Sequence, residues 1–239
     1  MKNMLVILFS LIVSRTALAH GPNPPDAMVI NIFELSVKAG KREDYDRVAR
    51  QTISDSVARE TGTLAMYSLS RKDNAHQTYM IEIYQNNQAY LYHLNAAPYR
   101  AFIAGASEII DQKQQIKLIP QFVGDKRVIQ RAATINNLVI VDVKPEFQQA
   151  FKNVVLPEMA ASLKNEEGVL AMYAAIDLNR TNRWYFYEIY ASDADYQQHR
   201  QQAYFRDYLA RTSRMTIGKE SVPVKPLLLR NKGGIRFIQ

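Results

Sequence analysis

The sequence predicts an α+β fold in which two tandem βαββαβ units close on each other as a barrel within one chain. Three observations predict it: the chain repeats itself at a fixed offset, each repeat has the same order of strands and helices, and the strands are apolar on both faces. With residue n set beside residue n + 106, an E-x-G-x-L-A-M-Y segment at Glu60–Tyr67 falls on Glu166–Tyr173. Glu82-Ile83-Tyr84 falls on Glu188-Ile189-Tyr190, and Tyr90, His93, Arg100 and Pro120 meet Tyr196, His199, Arg206 and Pro226. Asn31 meets Asn137 near the start of each unit. About 23 of 92 positions between 29–120 and 135–226 are identical without a gap, which marks a duplication.

The elements follow in order. Val29–Val37 is rich in β-branched and aromatic residues and reads as a strand. Ala39-Gly40 turns the chain, and Tyr45, Val48, Ala49, Ile53 and Val57 recur at helical spacing over Glu43–Arg59. Gly62 reads as that helix's C-cap. Leu64–Ser70 and Gln77–Tyr84 are strands joined by a Lys-Asp-Asn turn. A helix from Gln88 to about Gln112, broken near Pro98, precedes a short strand over Gln115–Ile119. The order is that of the ferredoxin-like split unit. The second copy repeats it over Leu138–Val143, Phe147–Leu163, Leu170–Asp177, Trp184–Tyr190, Ala194–Met215 and Val222–Pro226. Strands such as Leu64–Ser70, with Leu64, Met66 and Leu69 opposite Ala65 and Tyr67, need cover on both sides, and the second copy is the available layer.

The chain has 239 residues, no cysteine and a formal charge of +7. The missing cysteine excludes disulfide frameworks, thiolate metal sites and a cysteine nucleophile. Lys2, the apolar run Met4–Val13 and Ala17-Leu18-Ala19 form a secretory leader with cleavage expected after Ala19. The run is too short to span a bilayer and no later run is long enough, so a periplasmic or secreted protein with no membrane span after cleavage is expected. Without the leader, 28 basic residues face 23 acidic ones, about +5. The basic residues are dispersed without interleaved aromatics, so no nucleic-acid partner is expected. The organisation read from this is a leader over 1–19, a Pro-rich flexible segment over 20–27, a first unit over 28–120, a charged linker over 121–134, a second unit over 135–228, and an extension over 229–239 ending in an added strand.

The doubled signature, E-x-G-x-L-A-M-Y followed by E-I-Y and a His nine residues on, resembles the antibiotic biosynthesis monooxygenase family of the dimeric α/β barrel superfamily. Members are commonly homodimers that build the barrel between chains. The resemblance implies that this chain carries the pseudo-dimer internally, with further oligomerisation open. It also implies a choice of activities: oxidation of quinols or related aromatics by dioxygen with no metal or flavin cofactor, haem degradation, isomerisation, or no catalysis. The expected partner is a small aromatic or quinol-like molecule. A non-catalytic binding or stress protein with the same fold is the alternative.

The resemblance singles out for chemistry His93 and His199, as proton acceptors on the helix after E-I-Y, and Asn31 and Asn137, as first-strand groups that in relatives orient substrate or oxygen. Each also has a plain structural reading, an imidazole packed on the sheet or an amide at a strand end. The resemblance leads one to expect a second His in a P-H-F segment, but Ala97-Pro98-Tyr99 and Ala203-Tyr204-Phe205 lack it, leaving Tyr99 or Tyr204 as a hydroxyl in its place. Tyr67, Tyr84, Tyr173 and Tyr190 are expected to shape the pockets, and Trp184 could wall a flat aromatic ligand. Haem-degrading members of the family this chain resembles use an Asn, a Trp and a later helical His; Asn137 and Trp184 match the first two, but no His follows Phe205 on that helix. Glu82 and Glu188 are read as structural ties.

Overall fold

The computed structural model describes residues 27–238; the predicted leader and nearly all of the following segment lie outside the described residues. The first half runs β1 (Val29–Val37), α1 (Arg42–Arg59), β2 (Thr63–Arg71), β3 (Gln77–Tyr84), α2 (Asn87–Asn95), α3 (Ala97–Ile109) and β4 (Ile110–Asp125). The second runs β5 (Ile135–Val143), a 3-10 turn at Pro145–Phe147, α4 (Gln148–Asn165), β6 (Val169–Asp177), β7 (Arg183–Tyr190), α5 (Asp193–Gln201), α6 (Ala203–Thr212), β8 (Thr216–Val222) and β9 (Val224–Asn231). A short β10 (Arg236–Ile238) then pairs with β4, which is the added terminal strand.

The predicted long second helix is two helices in each half. Ala96, extended at ψ 152°, separates α2 from α3, and Pro98 sits in the first turn of α3, where no N–H is needed. Gln202 makes the same break without a proline. Asn86 and Ser192 cap α2 and α5, each accepting a backbone N–H three residues on.

Two expectations need correction. The last strand of the first half is not a short segment at Gln115–Ile119. Helix α3 ends at Ile109, and β4 extends 16 residues, through the first five residues of the expected linker. The polar run Asp111–Gln114 hid the strand's start because those side chains face solvent. Its first part pairs with β1 and its last part, from Leu118, pairs with β6 of the other half. The second half does the same with β8 on β5 and β9 on β2, the two segments parted by Pro223, which cannot donate to a ladder.

These crossings close the barrel. The sheet order is β8-β5-β7-β6-β4-β1-β3-β2-β9, and β8 joins β9 through one residue, so the ends of the sheet meet. Inside lie Ile32, Tyr67, Ile81, Ile140, Tyr173 and Leu229 among others; outside, α1 and α4 each cover one half of the sheet. The strands are therefore buried on both faces, as their composition required.

Repeat-related residues meet each other at the centre. Tyr67 Oη–H lies 2.7 Å from the Tyr173 hydroxyl, which donates to Asp125 Oδ2 at 2.8 Å; Asn231 Nδ2 donates to the same oxygen at 2.7 Å. Both pairs, Tyr67/Tyr173 and Asp125/Asn231, are separated by 106 residues. Lys126 and Lys232, also 106 apart, each cap the E-x-G turn of the opposite half: Lys126 Nζ donates to Glu166 O and Lys232 Nζ to Glu60 O, both at 2.6 Å.

The second correction concerns Gly62, which is not a left-handed C-cap. Among the described glycines only Gly40, Gly233 and Gly234 have positive φ. The requirement at Gly62 is space: a Cβ there would stand 2.3 Å from Ala89 Cβ in the first turn of α2. Gly168 meets Asp195 of α5 in the same way. The glycine lets the histidine-bearing helix seat against the turn. Gly62→Ala is expected to cost about 1–3 kcal/mol, because Ala89 Cβ has no rotamer to escape into, and urea denaturation would measure it as a lowered midpoint.

Candidate active site

The motif residues form one assembly in each half. His93 and His199 are buried, 0% and 1% exposed. Nδ1–H of His93 donates to Glu60 Oε2 at 2.9 Å, and that of His199 to Glu166 Oε1 at 3.0 Å. The E of E-x-G thus fixes the imidazole, its G admits the helix, and the Y of E-I-Y packs its ring on the imidazole, at centroid distances of 5.3 Å for Tyr84 and 5.4 Å for Tyr190. Burial pushes the Glu60 carboxyl up, but hydrogen bonds from His93 and Thr63 outweigh it and hold it below its ordinary value. With Nδ1–H given to a carboxylate, the neutral ring keeps its lone pair on Nε2, and in both histidines Nε2 has no hydrogen-bond partner.

Outside that shared frame the halves differ. The first half has a cavity of only about 30 Å³, lined by Phe33, Thr52, His93, Tyr99 and Lys113 among others. In the second half the corresponding space is about 160 Å³, lined by Asn137, Val139, Glu158, Glu188, Tyr196 and Tyr208 among others. Position 33 is Phe where position 139 is Val, and Lys113 Nζ sits 4.5 Å over the Phe33 ring. A ring fills the first cavity, and its absence opens the second. The open volume is close to that of a cavity that takes one benzene molecule, about 150 Å³.

The cavity also gains an acid. Position 52 is Thr and position 158 is Glu. Glu158 is 6% exposed; Ser162 Oγ–H donates to its Oε1 at 2.7 Å, and His199 Nε2 lies 4.0 Å from the same oxygen. Burial first, then the nearby Glu188 and Glu166 carboxylates, push the Glu158 carboxyl up to about 8. Tyr204 Oη–H donates to Glu166 Oε1 at 2.7 Å. Glu158, His199, Glu166 and Tyr204 therefore stand in series, from the cavity wall to the half-exposed Tyr204, with a 4.0 Å gap between the first two. Among the described residues no group of three or more His, Asp or Glu side chains is placed to hold one metal ion.

The structure places the expected residues as follows. Asn137 lines the open cavity, whereas its repeat mate Asn31 is buried, with Oδ1 accepting from Gln115 Nε2 at 3.1 Å. His93 and Tyr99 line the small cavity. His199 does not line the large one, but its Nε2 lies 4.0 Å from Glu158, which does. Tyr84 and Tyr190 back the histidines, and their hydroxyls donate to Glu82 and Glu188. Tyr67 and Tyr173 line neither cavity: strand alternation turns them into the barrel while Met66 and Met172 face the helices. Trp184 lines neither as well; it packs on Phe151 beneath α4, with Nε1–H donating to Gln148. Sequence reasoning passed over Glu60, Glu166, Val139 and Glu158. The first two were visible as a recurring pair, and the last two as positions where the repeats disagree.

The family model described as antibiotic biosynthesis monooxygenase matches residues 28–105 and 135–211. Among solved structures, a Lactobacillus acidophilus protein assigned as a monooxygenase is 25% identical with a TM-score of 0.84, over 88% of this chain and 99% of its own. A Fusobacterium nucleatum protein with the same assignment is 26% identical at TM-score 0.84, over 89% and 98%. An anthrone oxidase-like protein shares the fold at 13% identity and TM-score 0.53, over 87% and 95%. No curated protein matches the sequence.

Proposed function

The chain belongs to the antibiotic biosynthesis monooxygenase family, and from that premise we propose that its second half oxidises a small phenol or quinol with dioxygen while its first half serves as the matching half of the barrel. The observation that carries this reading is the pair of cavities, of which only the second, at about 160 Å³, has room for an aromatic ring. The ring hydroxyl loses its proton towards His199, whose imidazolium is balanced by Glu166. The electron-rich phenolate then reduces dioxygen. One oxygen atom enters the ring and the other leaves as water, so a hydroquinone and O₂ give a hydroxyquinone and water. Asn137 on the cavity wall orients the substrate. On its leader pattern the protein works in the periplasm or outside the cell, and a mature N-terminus at His20 in exported protein would support this.

Oxygen uptake by the purified, metal-free protein over a panel of one-ring hydroquinones tests the reading. Uptake above buffer is expected, falling by about 100-fold or more in His199→Ala and little in His93→Ala. No uptake with any member of the panel, alongside binding of the same compounds, would instead describe a binding protein. A Soret band on haem titration, bleached by reductant, would point to haem chemistry.

A further inference from the structure

We propose that Glu158 is the group that grips the substrate hydroxyl and takes its proton, and that it thereby selects neutral one-ring phenols over aryl carboxylates; this rests on the second cavity being the substrate site. His199 does not line that cavity, whereas Glu158 does. The Glu158 carboxyl lines the cavity and also lies 4.0 Å from the unpartnered Nε2, so it is placed to carry a proton from a ring in the cavity to that nitrogen. The carboxyl is built in. It sits on α4, one turn before Ser162, which holds one of its oxygens.

The relay balances without an added reagent. Glu158, kept protonated by its burial, passes its proton to His199 Nε2, and Glu166 on the opposite nitrogen balances the imidazolium. The freed carboxylate then takes the proton of the ring hydroxyl: the O–H bond breaks and its electron pair stays on the ring oxygen. A side-chain rotation closes the gap to Nε2, since 4.0 Å is beyond hydrogen-bond reach. The first half supports the assignment by contrast, because the position equivalent to 158 is Thr52 and the cavity there is only about 30 Å³. Glu188 lines the same cavity, so a ligand carboxylate would meet two acids. Lys219, the cation of this lining, is exposed at the β8 edge.

Binding is measured on the full chain without oxygen, with phenol, fluorobenzene and benzoate as probes of similar size, and turnover is measured separately as oxygen uptake with a hydroquinone. Glu158→Thr is expected to weaken phenol binding at least 10-fold while leaving fluorobenzene within about 2-fold, and benzoate is expected to bind the parent at least 10-fold more weakly than phenol. Glu158→Gln keeps the shape and a donor, so it should retain phenol but lose at least 100-fold in kcat with KM within about 3-fold. Unchanged phenol binding in Glu158→Thr, benzoate binding equal to phenol, or full kcat in Glu158→Gln would each overturn the assignment. Glu158-dependent phenol binding with no uptake by the parent would overturn the proton-transfer role and the oxidase reading while leaving Glu158 as the hydroxyl anchor. Uptake unaffected at position 158 would do the reverse.

Discussion

Asn231→Asp is expected to destabilise the protein by about 3–5 kcal/mol at pH 8. The substitution barely changes shape, but it replaces an amide donor with a second carboxylate against Asp125 Oδ2, which the native amide approaches at 2.7 Å. Both residues are buried, and burial already pushes the Asp125 carboxyl above its ordinary value of 3.8. A like charge beside it raises it further, so the folded state holds a proton that the unfolded chain releases. The lost stability should therefore return as the pH falls through the shifted value, and the deficit at pH 5 should be smaller than at pH 8. Urea denaturation at the two pH values measures this. A homodimeric barrel would place identical residues opposite each other at its axis; here duplication has let them become an acceptor and a donor, which suits closure within one chain.

Val139→Phe is expected to abolish ligand binding in the second half, with at least a 100-fold loss for any one-ring phenol. It installs the side chain that fills the first cavity, in the same strand register and against the matching lysine, Lys219. The cost to folding should stay within about 1–3 kcal/mol, because the ring enters existing space. The reverse change, Phe33→Val, is expected to open the first cavity at a cost of about 1–3 kcal/mol without conferring uptake, since that half has Thr52 in place of the acid. Calorimetric titration of both variants, with thermal melts alongside, separates lost binding from lost folding.

Much of the architecture was readable from residue order. The offset of 106 and the two-faced apolar strands were enough to require a barrel, and the bounds of β1 and β3 are those the pattern predicted. The strand crossings were less visible. The helix was expected to continue to about Gln112 and the strand to begin only at Gln115, and the repeat was followed only to Pro120, although Asp125/Asn231 and Lys126/Lys232 continue it into the residues that join the halves. At the site, recurrence correctly drew attention to His93 and His199, but it hid the difference between the halves. Tyr67 and Tyr173 recur because they meet at the axis, not because they hold a ligand. The distinguishing residues, Val139 and Glu158, lie where the repeat fails, and only packing shows that one opens a cavity and the other lines it.

The unequal halves lead to a direct measurement: the number of phenol molecules bound per chain, and where they bind, followed without oxygen by calorimetry and by methyl NMR of Met66 and Met80 in the first half against Val155 and Met159 in the second. One molecule per chain, shifting only the second set and lost in Val139→Phe, is the expected result. Two molecules per chain, or one that persists in Val139→Phe, would contradict the division of one barrel into a working half and a supporting half.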